Sequence, residues 1–214
     1  RARHPFNLNV LAEVAALATA GGATNQPPVA QNQNVTTAED TAKAITLTGS
    51  DPEGSNLTYT VVTGPAHGTV TPGTGASRTY TPAANYNGAD SFTFKVNDGS
   101  LDSPAVTVSV TVTAVNDNPT VTASGSPTSG TAPLTVAFSA SGTDVDVGDT
   151  LTYSWAFGDG STSSPQVAGT ANHTYASAGA YTATVTASDG QGGNASASVP
   201  VTVTSGGGSG EPSL

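Results

Sequence analysis

The chain of 214 residues carries a net charge of −10, with Arg1, Arg3, Lys43, Arg78 and Lys95 as its cations. That leaves no basic stripe to neutralise phosphates, which excludes nucleic-acid binding; an anionic membrane repels the chain for the same reason, and divalent cations are its natural small partners. The absence of cysteine excludes a disulfide framework and thiolate metal sites, and no apolar run approaches the roughly 20 residues of a membrane span.

Residues 1–24 differ from all that follows. Leu8, Leu11, Val14, Ala15 and Ala18 fall on one face at three- and four-residue spacing, after a cap at Asn7 or Asn9 and before Gly21-Gly22. A helix of about a dozen residues is marginal alone in water. The segment is therefore expected to be disordered or to dock that face on a larger assembly. Arg1 and Arg3 before an apolar stretch, with Ala18-Thr-Ala20 after it, give the competing reading of an export signal.

Residues 25–118 read as a first β-sandwich. Asn25-Gln-Pro-Pro-Val-Ala30 is a stiff, extended entry, because each proline fixes φ and favours an extended predecessor. Strands are expected at 44–48, 57–63, 67–71, 78–81, 92–96 and 106–115. In the last, Val106, Val108, Val110 and Val112 alternate with Thr and Ser, so one face is buried and the other is a hydroxyl ladder. Glu39-Asp-Thr41, Asp51-Pro-Glu-Gly54, Asn85-Tyr-Asn-Gly88, Asp90-Ser-Phe-Thr-Phe94 and Asn97-Asp-Gly99 resemble the cadherin-like repeats of large bacterial adhesins.

Residues 119–204 read as a second sandwich. Leu151, Tyr153, Trp155 and Phe157 alternate on a strand that must cross a core, with Trp155 as its packing centre. Tyr181, Ala183, Val185 and Ala187 give the next inward face, followed by Val199, Val201 and Val203. Trp155-Ala-Phe-Gly-Asp-Gly160 and His173-Thr-Tyr175 resemble the motif of PKD domains, which are immunoglobulin-like sandwiches of extracellular proteins. The resemblance implies packing roles for Trp155, Phe157, Tyr175 and Tyr181, and a packing and hydrogen-bonding role for His173. The two halves also resemble each other, so one type of sandwich is used twice. Residues 205–214 read as a Gly/Ser tail. The expected fold is all-β: two immunoglobulin-like β-sandwiches in tandem, joined by a short stiff linker at Ala114–Pro119, after an N-terminal helical segment.

Calcium is the cofactor with a physical case, since it needs several oxygen ligands gathered in loops. Asp144, Asp146 and Asp149 lie in one short loop. Glu39, Asp51 and Glu53 lie in loops of the first half. Asn116-Asp117-Asn118-Pro119 is similar to the calcium-bridging linker of cadherin-type repeats. Against the acidic-Pro-acidic-Gly-acidic loop of those relatives, Val147 is an extra residue, and Ser55 stands where a third acid often sits. Turn-shaping through backbone bonds is the alternative for all these residues.

For catalysis the chain offers little. His67 and His173 lack metal-ligand spacing, and no Gly-x-Ser-x-Gly elbow occurs. Tyr80, Tyr86 and Tyr175 border turns and are candidates for a sugar platform, with anchoring of a sandwich corner as the alternative. The expected function is non-catalytic display outside the cell or on a particle: residues 1–24 dock on a phage capsid, phage tail or surface filament, and the sandwiches project toward glycans or host proteins. A calcium-stiffened adhesin segment and the accessory region of a secreted hydrolase are the alternatives.

Overall fold

The computed structural model describes residues 24–206, and these are all-β. The helix expected within residues 1–24, with Leu8, Leu11, Val14, Ala15 and Ala18 as its docking face, falls on residues 1–23, outside the described residues, as do residues 207–214. No helix among the described residues is long and apolar enough to cross a membrane. The chain divides into two compact units, the first ending at Ala114 and the second beginning at Val115.

In the first unit the strands are β1 (Val29–Ala30), β2 (Gln33–Ala38), β3 (Lys43–Thr46), β4 (Gly49–Ser50), β5 (Thr58–Thr63), β6 (Gly68–Val70), β7 (Ser77–Pro82), β8 (Gly88–Asn97) and β9 (Val106–Thr113). They form a four-stranded sheet in the order β2-β9-β8-β5, a three-stranded sheet β3-β7-β6, and a short β1-β4 pair. The β2–β9 pairing is parallel and the others are antiparallel. Period-two alternation sends Phe92, Phe94 and Val96 of β8 and Val108, Val110 and Val112 of β9 inward, against Ile45, Leu47 and Tyr80. The opposite face of β9 is the expected ladder of Thr and Ser.

Two polar groups lie inside this unit. Asp90 is buried and accepts bonds from the N–H groups of Ala66, His67 and Ser91 and from the Tyr80 hydroxyl at 2.9 Å. Burial pushes its pKa up, but the Ser91 N–H, the Tyr80 hydroxyl and the other two N–H groups outweigh that and hold it below the usual value. Arg78 is also buried, and its guanidinium donates to the carbonyls of Gly75, Ser77, Tyr59 and Gly73 at 2.5–2.9 Å. A cation held by carbonyl oxygens alone pins the 71–76 turn onto β5.

The second unit consists of β10 (Thr120–Ser126), β11 (Ser129–Thr131), β12 (Leu134–Thr143), β13 (Thr152–Ala156), β14 (Thr170–Tyr175), β15 (Gly179–Ser188) and β16 (Asn194–Thr204). Its sheets run β10-β12-β14 and β11-β16-β15-β13, with β11 parallel to β16. Both units thus place an early strand parallel to the last one, as the internal similarity implies. Trp155 is 1% exposed, 4.9 Å from the Phe138 ring and stacked on Phe157, and its indole N–H donates to the Gly169 carbonyl. Tyr175 is fully buried, and its hydroxyl donates to the Phe157 carbonyl at 2.9 Å. Burial pushes that phenol up to about 12. Tyr181 is half-buried and stacks on Tyr175 from the rim of the core.

The division of the chain falls ahead of the boundary expected at 118/119. The reason is that the expected linker is bonded into the second unit. The Asn116 amide donates to Asp189, the Asp117 N–H donates to Asp146, and the Asn118 side chain accepts from the Asn194 N–H.

Replacing Arg78 by Met leaves four inward carbonyls without their donor and should lower first-unit stability by about 2–4 kcal/mol. Trp155 is the chain's single tryptophan and reports the second unit alone. In denaturant titrations of Arg78→Met, the far-UV transition should move to lower denaturant while the tryptophan fluorescence transition stays in place.

Candidate functional site

The loop joining β12 to β13 reads Asp144-Val-Asp-Val-Gly-Asp149 and inverts the usual rule of burial. Val145 and Val147 stand out in solvent, while Asp144, Asp146 and Asp149 are half-buried. One carboxylate oxygen from each aspartate lies within 4.8 Å of the other two, the one such group among the described residues. Local bonds set the loop: the Asp146 N–H donates to Asp144 Oδ1 at 3.0 Å, and Gly148 sits at a φ of 106° that favours glycine. Asp146 Oδ2 accepts from the Asp117 N–H at 2.7 Å. The second oxygens of Asp144 and Asp149 are buried and have no hydrogen-bond partner.

Electrostatics make this cluster costly on its own. Burial, followed by the charges of Asp144, Asp146 and Asp189, pushes the Asp149 carboxyl above its usual value. Residues 115–206 contain Asp117, Asp144, Asp146, Asp149, Asp159 and Asp189 and not one lysine or arginine. Hard carboxylate oxygens, two of them buried without a partner, are the donor chemistry of calcium. The residues present therefore fit that ion: Asp144, Asp146 and Asp149 would hold it, and it would supply the missing positive charge.

The other predicted ligands are placed elsewhere. The side chains of Asn116 and Asn118 reach the 189–194 turn rather than the aspartate cluster. Asp189 is buried; the Asn116 amide and the N–H groups of Gln191, Gly192 and Gly193 hold its carboxyl low against the effect of burial. In the first unit, Asp51 caps its own turn through the N–H groups of Glu53 and Ser55, and Glu53 binds Gln26. Glu39 follows β2 where its N–H meets Thr113, at the far end of the sandwich from Gln26. The structure does not bring Glu39 together with Asp51 and Glu53, because they lie at opposite ends of the strands.

The sugar-platform reading is corrected for two residues. Tyr80 and Tyr175 are fully buried, each held by its hydroxyl, and present no face to a ligand. Tyr86 is half-buried, its ring parallel to His67 at 4.2 Å.

A constellation that the sequence did not single out joins the two PKD-like motifs. Gly158 turns the chain after Phe157 at a φ of 84°, and a Cβ there would meet the Thr182 carbonyl at 2.6 Å. The turn delivers Asp159 to His173 Nε2 at 2.7 Å and to the Ser161 hydroxyl at 2.5 Å. His173 stacks on Phe157 at 4.2 Å and meets the edge of Tyr175. Aspartate, histidine and serine here do not form a relay. In a relay the imidazole joins acid and nucleophile through different nitrogens, whereas here Nε2 faces both and the serine proton points at the acid. The signal was present in the sequence, since Asp159 and His173 sit in the two motifs that carry the resemblance.

The Ser161 hydroxyl, opposed by burial and helped by the Ser161 N–H and His173, holds Asp159 down to about 2. A depressed carboxylate contributes stability above its unfolded pKa of about 3.9, and that contribution is lost as pH falls toward the folded value. The melting-temperature gap between the parent and Asp159→Asn should narrow as pH falls from about 5 to about 2.

Comparison with known proteins follows the two units. Residues 25–111 match the family model of a bacterial Ig domain, and residues 116–204 match that of a PKD domain. No curated protein matches the sequence. Among solved structures, one from a study of promiscuous carbohydrate-binding modules of the β-sandwich superfamily is 27% identical with a TM-score of 0.40; the match covers 46% of this chain and 39% of that one, well under two thirds of its length. The PKD1 domain of Vibrio anguillarum Epp is 24% identical, with 43% and 100% covered and a TM-score of 0.34. The amphioxus IgVJ-C2 molecule is 13% identical, with 78% and 99% covered and a TM-score of 0.37.

Proposed function

We propose that this chain, a bacterial Ig domain followed by a PKD domain, is a non-catalytic display and adhesion module that works outside the cell or on a particle surface and binds structural calcium in its PKD domain. Domains of both kinds typically hold, space or bind. The observation that carries the calcium reading is the loop that turns Val145 and Val147 to solvent and gathers Asp144, Asp146 and Asp149 within 4.8 Å. Other carboxylates, Asp90, Asp159 and Asp189, are engaged in fastening turns, which supports a structural rather than a catalytic use of the acids. Calcium at the cluster would rigidify the β12–β13 loop and, through the Asp117 N–H on Asp146, the segment that enters the PKD domain.

Titration of calcium into the metal-free chain should raise the melting temperature reported by Trp155 fluorescence, by about 2.7 kcal/mol of added stability at a hundredfold excess over Kd. Asp149→Asn should behave oppositely in the two conditions. Without calcium it relieves like-charge repulsion and melts higher than the parent, and with calcium the shift is lost. An Asp149→Asn variant that keeps the parent's calcium response would overturn the reading.

Attachment to a phage capsid, phage tail or surface filament through residues 1–24 is the second part of the proposal, supported by the apolar stripe of Leu8, Leu11, Val14, Ala15 and Ala18. The full chain should co-sediment with its source particles, and a chain lacking residues 1–24 should stay in the supernatant with Trp155 still buried. Retention of the truncated chain on the particles would place the attachment in the sandwiches instead.

A further inference from the structure

We infer that the open edge of β14 is a docking slot for an extended, positively charged peptide, which adds to the β10-β12-β14 sheet as a fourth strand. The slot is a cleft of about 490 Å³ in the PKD domain. Four consecutive residues of β14, Thr170, Ala171, Asn172 and His173, line one wall. Successive side chains of a strand point to opposite faces, so a cleft that touches four in a row runs along the backbone edge. The opposite wall is the 161–166 segment, which is bridged to β13 at Ala156–Thr162 and Tyr153–Gln166. The β14 edge is terminal in its sheet, while β13 has this segment beside it.

Hydrogen-bond alternation shows which backbone groups face the cleft. The Ala140 N–H donates to the Gly169 carbonyl at 2.9 Å, so residue 169 turns its backbone groups toward β12. In an antiparallel ladder the direction alternates. Residues 171, 173 and 175 therefore also face β12, and Thr170, Asn172 and Thr174 face outward. An independent contact agrees: Gln166 Nε2 donates to the Thr170 carbonyl at 2.8 Å from across the cleft. The Gln166 amide thus occupies one position that an added strand would use. Among the described residues no other hydrogen bond reaches the main-chain N–H or C=O of Asn172.

The edge also lacks most of the usual protection, its cover being the Gln166 amide from across the cleft. Natural edges are blunted by lysine, proline, a bulge or a covering loop; β5 of the first domain has a bulge between Val61 and Thr63, whereas Thr-Ala-Asn-His-Thr-Tyr of β14 pairs with β12 in unbroken register and carries no lysine or proline. Strand addition draws affinity from main-chain bonds and specificity from alternate side chains. A strand matching the four lining residues is about four residues long. The charge of the partner follows from the domain: six aspartates with no lysine or arginine favour a cation. A saccharide is the weaker fit, because the Phe157 ring in the floor is covered by His173 and offers no stacking face.

The slot needs neither the calcium nor the attachment reading, since a divalent ion would offset only part of the charge of six aspartates, and the test leaves both untouched. The probe is a short capped peptide alternating valine with threonine and lysine, titrated into the full chain with amide resonances followed by NMR. The amides of Asn172 and Thr174 should move first. Asn172→Pro removes an outward N–H and no ladder bond, which an edge strand tolerates, and should weaken binding about fivefold. Asn172→Ala keeps the N–H and should bind like the parent, and Gln166→Ala should tighten binding by freeing the Thr170 carbonyl. The same peptide N-methylated at alternate residues should fail to bind, which keeps the test decisive if Asn172→Pro does not fold. Shifts on a different edge, equal binding by the N-methylated peptide, a neutral oligosaccharide moving the same amides in place of the peptide, or concentration-dependent self-association through β14 would each overturn the inference.

Discussion

Six aspartates in a domain without a lysine or arginine impose the constraint around which the second sandwich is arranged. Each negative charge that is taken from water needs compensation from something other than an ion pair with a basic side chain. The domain solves this locally. Asp189 gathers backbone N–H groups and an amide, and Asp159 takes a hydroxyl, an N–H and an imidazole. Three further aspartates face one another, two of them with a buried carboxylate oxygen that has no hydrogen-bond partner. The first domain meets the mirror-image problem at Arg78, a buried positive charge settled on carbonyl oxygens. Main-chain dipoles do the work of counter-ions in both.

These fastenings sit at the ends of strands, whereas the strands themselves are held by apolar alternation. Trp155, Phe138 and Phe157 form the centre of one core, and Phe92, Phe94 and Tyr80 that of the other. Because backbone and core already define the sandwich, the turns are free to differ between the domains. The loop after β4 closes on Asp51 and Glu53, while its counterpart after β12 expands by Val147 and turns its valines outward. The same scaffold thereby carries a turn closed on one aspartate in the first domain and a loop that gathers three in the second.

Legibility in the sequence followed contrast between inward and outward residues. In β9 valine faces threonine across the alternation, and in the strand through Trp155 aromatic residues face small ones, so both were readable. In β10, Val121, Ala123 and Gly125 face inward against Thr and Ser, and the difference is too slight to announce a strand. The aspartate loop was readable because its acids are neighbours in the chain. The bond between Asn116 and Asp189 joins residues 73 positions apart, and only the fold brings them together, so Asn116 looked like a linker ligand. Tyr80 and Tyr175 bordered turns, as surface residues do, but their rings point back into the core. The β14 cleft had no local trace, since it is defined by a strand missing from beside it.

The parallel pairing of an early strand with the last strand has a mechanical consequence. When a domain is pulled by its two ends, the strands of such a pair are drawn past each other, and their hydrogen bonds bear the load together in shear rather than opening one after another. In the first domain six residue pairs, from Gln33 with Val108 to Ala38 with Thr113, share that load. In the second, three pairs, Ser129 with Thr202 to Thr131 with Thr204, carry it. Pulled by its ends, the chain would therefore yield first in the PKD domain, where three pairs share the load, and lengthen there while the Ig domain stays folded.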